Sequence, residues 1–403
     1  MKKCLVCNST SLKDIINLGI HPNSDTFIPK NLLGSLEPLE YLICSLCQKC
    51  GMVQNKNIIE EFKRYNLYDY SYTSANSKYA RDHWSTFADF VYKELELNKE
   101  SKLLEIGSND GFLSKEFIKK KIKTICIDAS KAMVNLSRRK GLKTYLGVFN
   151  HQISRDIKNK EGLFNVVIAN NVFNHSNEPK NFLKGVSNLL INNGHVVFEV
   201  LYWKDMVIDR RFDQIYHEHV SYFTVKSINE LLLRNNFIIT KVYNNEYHGG
   251  TLRIIAQKNN QKITNAEVKK YIKNENKIGL FKLKTYVKFQ KEINDLKIKF
   301  NSKIFYTLNR GYKIIGIGAG AKSNTFLNFM KLDHNIITCI TDVSKFKINK
   351  YMPLSRIPIK NDTVIKKYKK VCALILSWNI NENLNKKLKK IKKNIKVISQ
   401  TNF

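Results

Sequence analysis

Between residues 96 and about 260, short apolar runs alternate with helical patterns, and this alternation leaves few folds open. The runs cover 102–106, 124–127, 165–169 and 195–199. Continuous apolar strands separated by helix-length segments are buried on both faces, so they form a mostly parallel sheet with helices on either side. The pattern returns at 313–316, 336–340 and 371–376, which predicts a second, smaller α/β unit. Residues 264–310 lie between. They are Lys-rich, with Val268, Tyr271, Ile272, Leu283, Tyr286, Val287, Ile293 and Leu296 at helical spacing, and they read as one long amphipathic helix or a helix pair. Residues 56–95 are rich in Tyr and then helical through Tyr79, Trp84, Phe87 and Phe90.

A chain of 403 residues exceeds one ordinary core. The texture predicts three parts, at 1–55, 56–260 and 261–403. No stretch offers eighteen uncharged apolar residues, which excludes a transmembrane helix. Met1-Lys2-Lys3-Cys4 leads into no apolar signal stretch, so the cytoplasm is the expected compartment. The formal net charge is +34. A charge of that size raises the possibility of nucleic-acid binding. Against it, the Lys residues are spread along the chain, as AT-rich coding produces, and no basic helix carries interleaved aromatics. An acidic small substrate such as a nucleotide diphosphate needs only a local basic site.

Eight cysteines are present. Cys126, Cys339 and Cys372 sit singly in apolar runs, as buried small hydrophobes do. Cys4-Leu5-Val6-Cys7 and Cys47-Gln48-Lys49-Cys50 form two CxxC pairs, separated by 39 residues. Two residues between thiolates let each knuckle present both sulfurs to one tetrahedral zinc ion. Four Cys ligands close the shell, so Cys4, Cys7, Cys47 and Cys50 predict a structural zinc ribbon. Cys44 could replace a ligand, but Gly51 after Cys50 suits the turn that a knuckle needs.

Leu103-Leu104-Glu105-Ile106-Gly107-Ser108-Asn109-Asp110-Gly111 reads as a buried strand, a Gly-bounded loop and a helix start near Phe112. Parallel sheets bind ligands at the carboxyl ends of their strands. The loop lacks the GxGxxG pattern and has no Lys, so it fits neither a dinucleotide fingerprint nor a phosphate loop. Its acidity suits a cationic cofactor, with Glu105 and Asp110 facing a sulfonium or amino group. Asp128 ends the next strand, 23 positions beyond Glu105, where a carboxylate takes ribose hydroxyls; a helix N-cap is its alternative role. The candidate cofactor contacts are Glu105, Gly107, Ser108, Asn109, Asp110, Asp128 and Asn170. Choosing S-adenosylmethionine over a nicotinamide rests on loop acidity.

The segment Phe212-Asp213-Gln214-Ile215-Tyr216-His217-Glu218-His219-Val220-Ser221-Tyr222-Phe223 is the densest chemical cluster. Tyr, Glu and two His within four residues offer acid, base and oxyanion donors. His175 follows a strand expected to end at the cofactor crevice. A metal reading of these histidines lacks a further ligand. Near the C-terminus, Gly316-Ile317-Gly318-Ala319-Gly320-Ala321-Lys322-Ser323 misses the GxxxxGK[ST] pattern, because Ala321 occupies the second Gly. A Rossmann-like turn fits better. Its backbone either approaches a ligand or packs closely, and Lys322 either meets a pyrophosphate or is a surface residue at a helix start. Thr341-Asp342, at the next strand end, is another ligand-facing candidate.

Taken in order, these motifs resemble those of the sugar-nucleotide C-methyltransferases. The resemblance covers nearly the whole chain. Besides the CxxC pairs, the 105–111 loop, 171–175 and 212–223, it includes Cys50-Gly51-Met52-Val53-Gln54 and His248-Gly249-Gly250-Thr251-Leu252-Arg253. It continues through 316–322, 342–353 and Ser377-Trp378-Asn379. It implies a small N-terminal zinc domain, a central class I S-adenosylmethionine methyltransferase domain and a C-terminal second Rossmann-like α/β domain. It also implies methylation of carbon 3 of a nucleotide-linked 4-keto deoxysugar. By the same resemblance Tyr72, His175, Tyr216, Glu218 and His219 line the reaction centre, with His217, Tyr222, His248, Arg253 and Lys322 as substrate-binding candidates. Tyr68 and Tyr70 compete with Tyr72 for register. His219 is the expected base, Tyr216 and His175 hydrogen-bond the enolate oxygen, and Glu218 orients a His or grips the sugar. An O- or N-methyltransferase acting on a sugar or small metabolite is the alternative, and a zinc-ribbon nucleic-acid module a third. Sugar, nucleotide carrier, oligomeric state and the role of His217 stay open.

Overall fold

The computed structural model describes residues 3–66, 73, 75 and 77–400. The chain opens with strands β1 (Leu12–Pro22), β2 (Leu39–Cys47) and β3 (Val53–Asn55), then helices α1 (Glu61–Asn66) and α2 (Lys78–Glu94). An alternating stretch follows: β4 (Lys102–Ile106), α3 (Phe112–Lys119), β5 (Lys123–Asp128), α4 (Lys131–Arg139), β6 (Thr144–Leu146), α5 (His151–Glu161), β7 (Phe164–Ile168), α6 (Pro179–Leu189) and β8 (Leu190–Leu201). Next come α7 (Trp203–Ile208), β9 (Ser221–Tyr222), α8 (Val225–Arg234), β10 (Phe237–Asn245), β11 (Thr251–Lys258), α9 (Ala266–Lys277) and α10 (Leu283–Asn309). The last elements are β12 (Lys313–Ile317), α11 (Ala321–Met330), β13 (Cys339–Thr341), β14 (Ile359–Lys360), β15 (Val371–Ile375), α12 (Asn381–Ile391) and β16 (Lys396–Ser399).

Two compact units share this chain. The first holds Met1–Asp14, Ser45–Asp205 and His219–Lys282; the second holds Ile15–Cys44, Met206–Glu218 and Leu283–Phe403. The chain therefore passes between units five times.

In the first unit a seven-stranded sheet runs in the order β10-β11-β8-β7-β4-β5-β6. Its β8, β7, β4, β5 and β6 pairings are parallel, whereas β11 pairs antiparallel with both β8 and β10. This is the order expected of a class I methyltransferase domain. Side-chain alternation splits each strand between two faces. Leu104, Ile106 and Val167 enter one core with Phe173, Phe182 and Phe198, while Leu103, Val166 and Ile168 enter the other. Helix α2 seals that second face with Trp84, Phe87, Ala88 and Val91, one side of a helix at 3.6-residue periodicity. Its N-terminus is capped by Ser77, whose side chain accepts from the Ala80 amide.

The second unit carries a five-stranded sheet in the order β14-β13-β12-β15-β16 with every pairing parallel. This is a Rossmann-like arrangement, with β12 central. At the end of β12, Gly318 has φ +94° and lies against Ser377, whose Oγ would stand 2.0 Å from any Cβ placed there. Only glycine allows that contact. Of the two readings of the Gly-rich turn, close packing is the one visible in this contact.

Of the two readings of residues 264–310 the helix pair is the one observed, because Gly279 takes φ +79° just after α9. One expected boundary shifts. The expected 1–55 domain is divided. The cysteine knuckles cluster with the first unit, but 15–44 clusters with the second. There Ile28 and Tyr351 exchange backbone hydrogen bonds at 2.9 Å each way, and Glu37 accepts from Arg356 at 2.6 Å and from the Leu354 amide at 2.7 Å. A two-knuckle ribbon has too little apolar surface for its own core, and its strands extend into larger ones. Among the described residues, no helix is long and apolar enough to cross a membrane.

Glu275 of α9 holds part of the first unit together. Its buried carboxylate accepts from the Tyr202 hydroxyl at 3.0 Å and from the Val225 and Lys226 amides, at 2.6 and 3.1 Å, at the start of α8. Glu275→Ala leaves these buried donors without their acceptor. We expect it to lower unfolding free energy by about 2–4 kcal/mol in urea titrations; a change below about 0.5 kcal/mol would count against this role.

Candidate functional site

Three loops meet the carboxyl ends of the parallel strands in the first unit. The loop after β4 starts at Gly107, which has φ +71°; a Cβ there would come within 2.8 Å of Val172 in the loop after β7. Its course is fixed by the end of β5. Asp128 accepts from the Asn109 amide and from the Ser130 amide, both at 2.8 Å. The helix α4 is capped by Ser130, not by Asp128. Asp110 is tied on the other side, with Lys140 donating to its carboxylate and its carbonyl at 2.8 Å each.

The acids of this loop are held away from water. Burial pushes Glu105 up to about 8, with Asp110 and Asp128 adding and a hydrogen bond from Ser114 opposing. Burial likewise pushes Asp128 up to about 6 against its two amide donors. A cation placed here would favour ionisation of both. Two buried amide atoms beside the loop, Asn170 Nδ2 and Asn174 Oδ1, have no hydrogen-bond partner among the described residues. The acidic, glycine-turned loop and these two unspent atoms fit a ligand with a cationic end and polar edges.

Beside this cradle, the 3-10 turn Phe173–His175 presents a half-buried imidazole whose Nε2 is shielded from solvent. His175 Nδ1 lies 2.9 Å from the Tyr65 hydroxyl, and the two rings stack with 6.4 Å between centroids. Arg64 donates to the His175 carbonyl at 3.0 Å and to Asn177 Oδ1 at 2.7 Å. Glu61 accepts from the Asn177 amide at 2.6 Å. Burial holds His175 well below the usual imidazole range, and the charges of His219 and Arg64 push the same way, so its ring is neutral. The His219 ring lies 5.1 Å away, centroid to centroid. His219 is steadied through its backbone, because Asn55 Nδ2 donates to its carbonyl at 2.8 Å and β3 pairs with β9 just beyond.

Glu199, at the carboxyl end of β8, is fully buried. Its carboxylate takes Arg253 at 2.6 and 2.7 Å, His83 at 2.7 Å and Asn245 at 3.3 Å. Its amide donates to Asn170 Oδ1 at 2.9 Å and its carbonyl accepts from Asn171 at 2.8 Å. Arg253, expected to bind substrate, is thus spent on a buried ion pair, with its guanidinium 4.8 and 4.7 Å from the Phe87 and Phe90 ring centroids. His248, from the same motif, has φ +55° and packs 4.1 Å from the Tyr247 ring. Tyr222 is buried in β9, 6.2 Å from the His219 ring.

Tyr216, His217 and Glu218 belong to the second unit, whose share of the motif ends where His219 begins the first unit's. Within the second unit, Glu218 Oε1 accepts from the Asp25 amide at 3.2 Å, and His217 is buried. Lys322 lies in the first turn of α11 and is half-buried. Burial pulls it down to about 8, with Asp213 opposing, and its ammonium lies 4.8 Å from the Trp378 ring. Asp213 accepts from Trp378 Nε1 at 2.6 Å and Gln400 Nε2 at 3.1 Å. Asp342 accepts from the Ala319 amide at the Gly-rich turn, at 2.8 Å. Tyr72 lies outside the described residues.

The four cysteines converge as expected. Their sulfurs all lie within 4.8 Å of one another, with Cys4–Cys50 at 3.5 Å and Cys7–Cys47 at 3.6 Å. A tetrahedral shell with metal–sulfur bonds of about 2.3 Å needs sulfurs about 3.8 Å apart, so the set fits a metal ion. Cys44 is outside it. Gly51 has the positive φ, +75°, that the second knuckle needs.

Reading the sequence missed Arg64, Tyr65, Asn55, His83 and Glu199. None stands in a recognisable string, and only tertiary contact gives them a role.

Residues 78–242 match the family described as a methyltransferase domain, and residues 246–399 match the C-methyltransferase C-terminal domain. The C-methyltransferase NovU of Streptomyces niveus is 25% identical over 389 residues, spanning 94% of this chain and 90% of that protein. An uncharacterized methyltransferase of Schizosaccharomyces pombe is 29% identical over 113 residues, 27% of this chain and 43% of its own. Among solved structures, the PH0226 protein of Pyrococcus horikoshii aligns at TM-score 0.38 and 13% identity, over 50% of this chain and 99% of that one. Magnesium protoporphyrin IX methyltransferase from Synechocystis, with bound SAH, aligns at TM-score 0.36 and 12% identity, over 44% and 83%.

The raised acids carry a pH signature. Folded Glu105 keeps its proton up to about 8, whereas an unfolded glutamate loses it near 4.5. Between these limits the folded chain binds more protons, so its stability falls as pH rises, by up to ~1.4 kcal/mol per pH unit for one proton. In urea titrations without ligand, Glu105→Gln should flatten that decline between about pH 5 and 8. Equal slopes for the two proteins would show that Glu105 is already ionised.

Proposed function

The chain is an S-adenosylmethionine-dependent methyltransferase with a C-methyltransferase C-terminal domain, and from that premise we propose that it methylates carbon 3 of a nucleotide-linked 4-keto deoxysugar through an enolate. The observation that carries the reading is the pair of close imidazoles, His175 and His219, beside the cofactor cradle at the carboxyl end of the sheet. A proton on carbon next to a ketone is acidic enough for a positioned base. His219 takes that proton. The developing negative charge rests on the ketone oxygen, where His175 donates a hydrogen bond and Tyr216 assists. Bound S-adenosylmethionine would supply the methyl group to the enolate carbon from its sulfonium, with a neutral thioether as the leaving group.

In this reading Glu105, Gly107, Ser108, Asn109, Asp110, Asp128 and Asn170 hold the cofactor. Asp128 spends one lone pair on each of two amides, and its remaining acceptor capacity suits ribose hydroxyls. Asn170 offers an unspent Nδ2 donor. Glu218 and His217 orient the acceptor, while Lys322, pulled down by burial but kept charged by Asp213, meets the pyrophosphate. The basic surface would then serve anionic substrate rather than nucleic acid.

The test is mass spectrometry of reactions containing methyl-labelled S-adenosylmethionine and a panel of nucleotide 4-keto sugars. One labelled methyl on a carbon of the sugar is expected, with turnover reduced at least about 100-fold in a folded His219→Gln protein. Label on oxygen or nitrogen would replace the enolate reading with an O- or N-methyltransferase. Full activity in His219→Gln would remove His219 as the base.

We also assign zinc to Cys4, Cys7, Cys47 and Cys50, as a structural ion with no open position. About one zinc per chain is expected, with tetrahedral thiolate bands in the cobalt-substituted protein and loss of both in Cys50→Ser. Cobalt bands of octahedral character, or metal retained by Cys50→Ser, would overturn this assignment.

A further inference from the structure

We propose that Tyr65 is a positioning residue that fixes the tautomer of His175, delivering an Nε2–H donor to the reacting oxygen. The proposal rests on the enolate reading above for the identity of that oxygen. It rests on the structure for the tautomer.

A neutral imidazole carries one N–H, and which nitrogen holds it is set by the partner of the other nitrogen. His175 is half-buried, and the desolvation of its ring favours the neutral form. Its Nδ1 faces the Tyr65 hydroxyl at 2.9 Å, while its Nε2 is buried with no partner among the described residues. A phenol can donate or accept here. If Nδ1 carried the proton, Tyr65 would accept, and a bare Nε2 lone pair would face the pocket. An electron-rich oxygen arriving there would be repelled. If Tyr65 donates, the proton sits on Nε2 and meets that oxygen as a hydrogen bond.

Two further features favour Tyr65 as the donor. The Arg64 guanidinium carbon lies 5.9 Å from the centroid of the Tyr65 ring, and a nearby cation strengthens a phenol as a donor. The same Arg64 is buried and holds the His175 carbonyl and Asn177, so helix α1 grips the turn at its backbone and its ring together. Glu61 completes the grip through the Asn177 amide. A ring held at Nδ1 on a backbone held by Arg64 meets the developing charge without reorganising, which is where electrostatic stabilisation is largest. Because the pocket disfavours a charged imidazolium at His175, this residue acts as a neutral donor, and proton removal falls to His219.

Nitrogen-15 correlation spectra of the full-length, zinc-loaded protein read the tautomer directly, with the His175 signals identified by their loss in His175→Gln. The expected result is a neutral His175 with its proton on Nε2, and a mixture of tautomers in Tyr65→Phe. In the methyl-transfer assay, Tyr65→Phe should lower kcat about tenfold, with KM and S-adenosylmethionine affinity within about twofold of the parent. A proton on Nδ1 in the parent protein overturns the proposal, and so does an unchanged spectrum and kcat in Tyr65→Phe. If Tyr65→Phe fails to fold, the parent spectrum alone decides. Should no keto sugar be methylated while the spectrum shows Nε2–H, the positioning role stands and the enolate reading falls.

Discussion

A carboxylate removed from water must be repaid by charges and donors close at hand, and the first unit is organised around one such group. Glu199 lies at the carboxyl end of β8, where the sheet turns from parallel to antiparallel pairing. Its side chain joins Arg253 on β11 and His83 on α2, while its backbone holds Asn170 and Asn171. Four segments far apart in sequence thereby share one anchor. Removing one member of such a buried set strands the others, which is why buried ion networks rigidify a site even where they add little net stability. Gly107 packs on Val172, one residue beyond the anchored Asn171, so the cofactor loop inherits its position from the same anchor.

Strands and the order of their chemistry were legible because buried parallel strands are local events. The runs ending at Ile106, Asp128 and Ile168 announce themselves as apolar stretches bounded by polar turns. Cysteine spacing was equally legible, since a two-residue knuckle is a local geometry. What stayed hidden was anything decided by contacts across the sheet. Arg253 was a substrate candidate through the resemblance of its motif, yet its partner sits on the neighbouring strand. Tyr65 and Arg64 were invisible for the same reason: nothing in Lys63-Arg64-Tyr65-Asn66 points to a loop 110 residues away. Asp128 was read with two roles, and the capping role fell to Ser130, two positions on.

Buried glycines and histidines divide the work in the second unit and the first. Gly318 brings the β12 turn against Ser377, closing one end of a parallel sheet, and Asp342 ties that turn down. Lys322, Asp213 and Trp378 sit together there, a cation, an anion and an aromatic ring removed from bulk water. The first unit buries its own ion pair at Glu199 and Arg253, and beside the cofactor loop it presents His175, whose desolvation favours the uncharged ring.

The five passages of the chain between units bear on how the protein is made. Residues 15–44 emerge from the ribosome well before a segment they cluster with, 283–403. The first unit has all of its residues once 282 has emerged. The earlier segment must wait for the synthesis of 45–282 before 283–403 can join it. Its apolar residues, among them Phe27, Ile28 and Leu42, are buried in the folded protein, and apolar side chains left waiting for their partners are what chaperones bind.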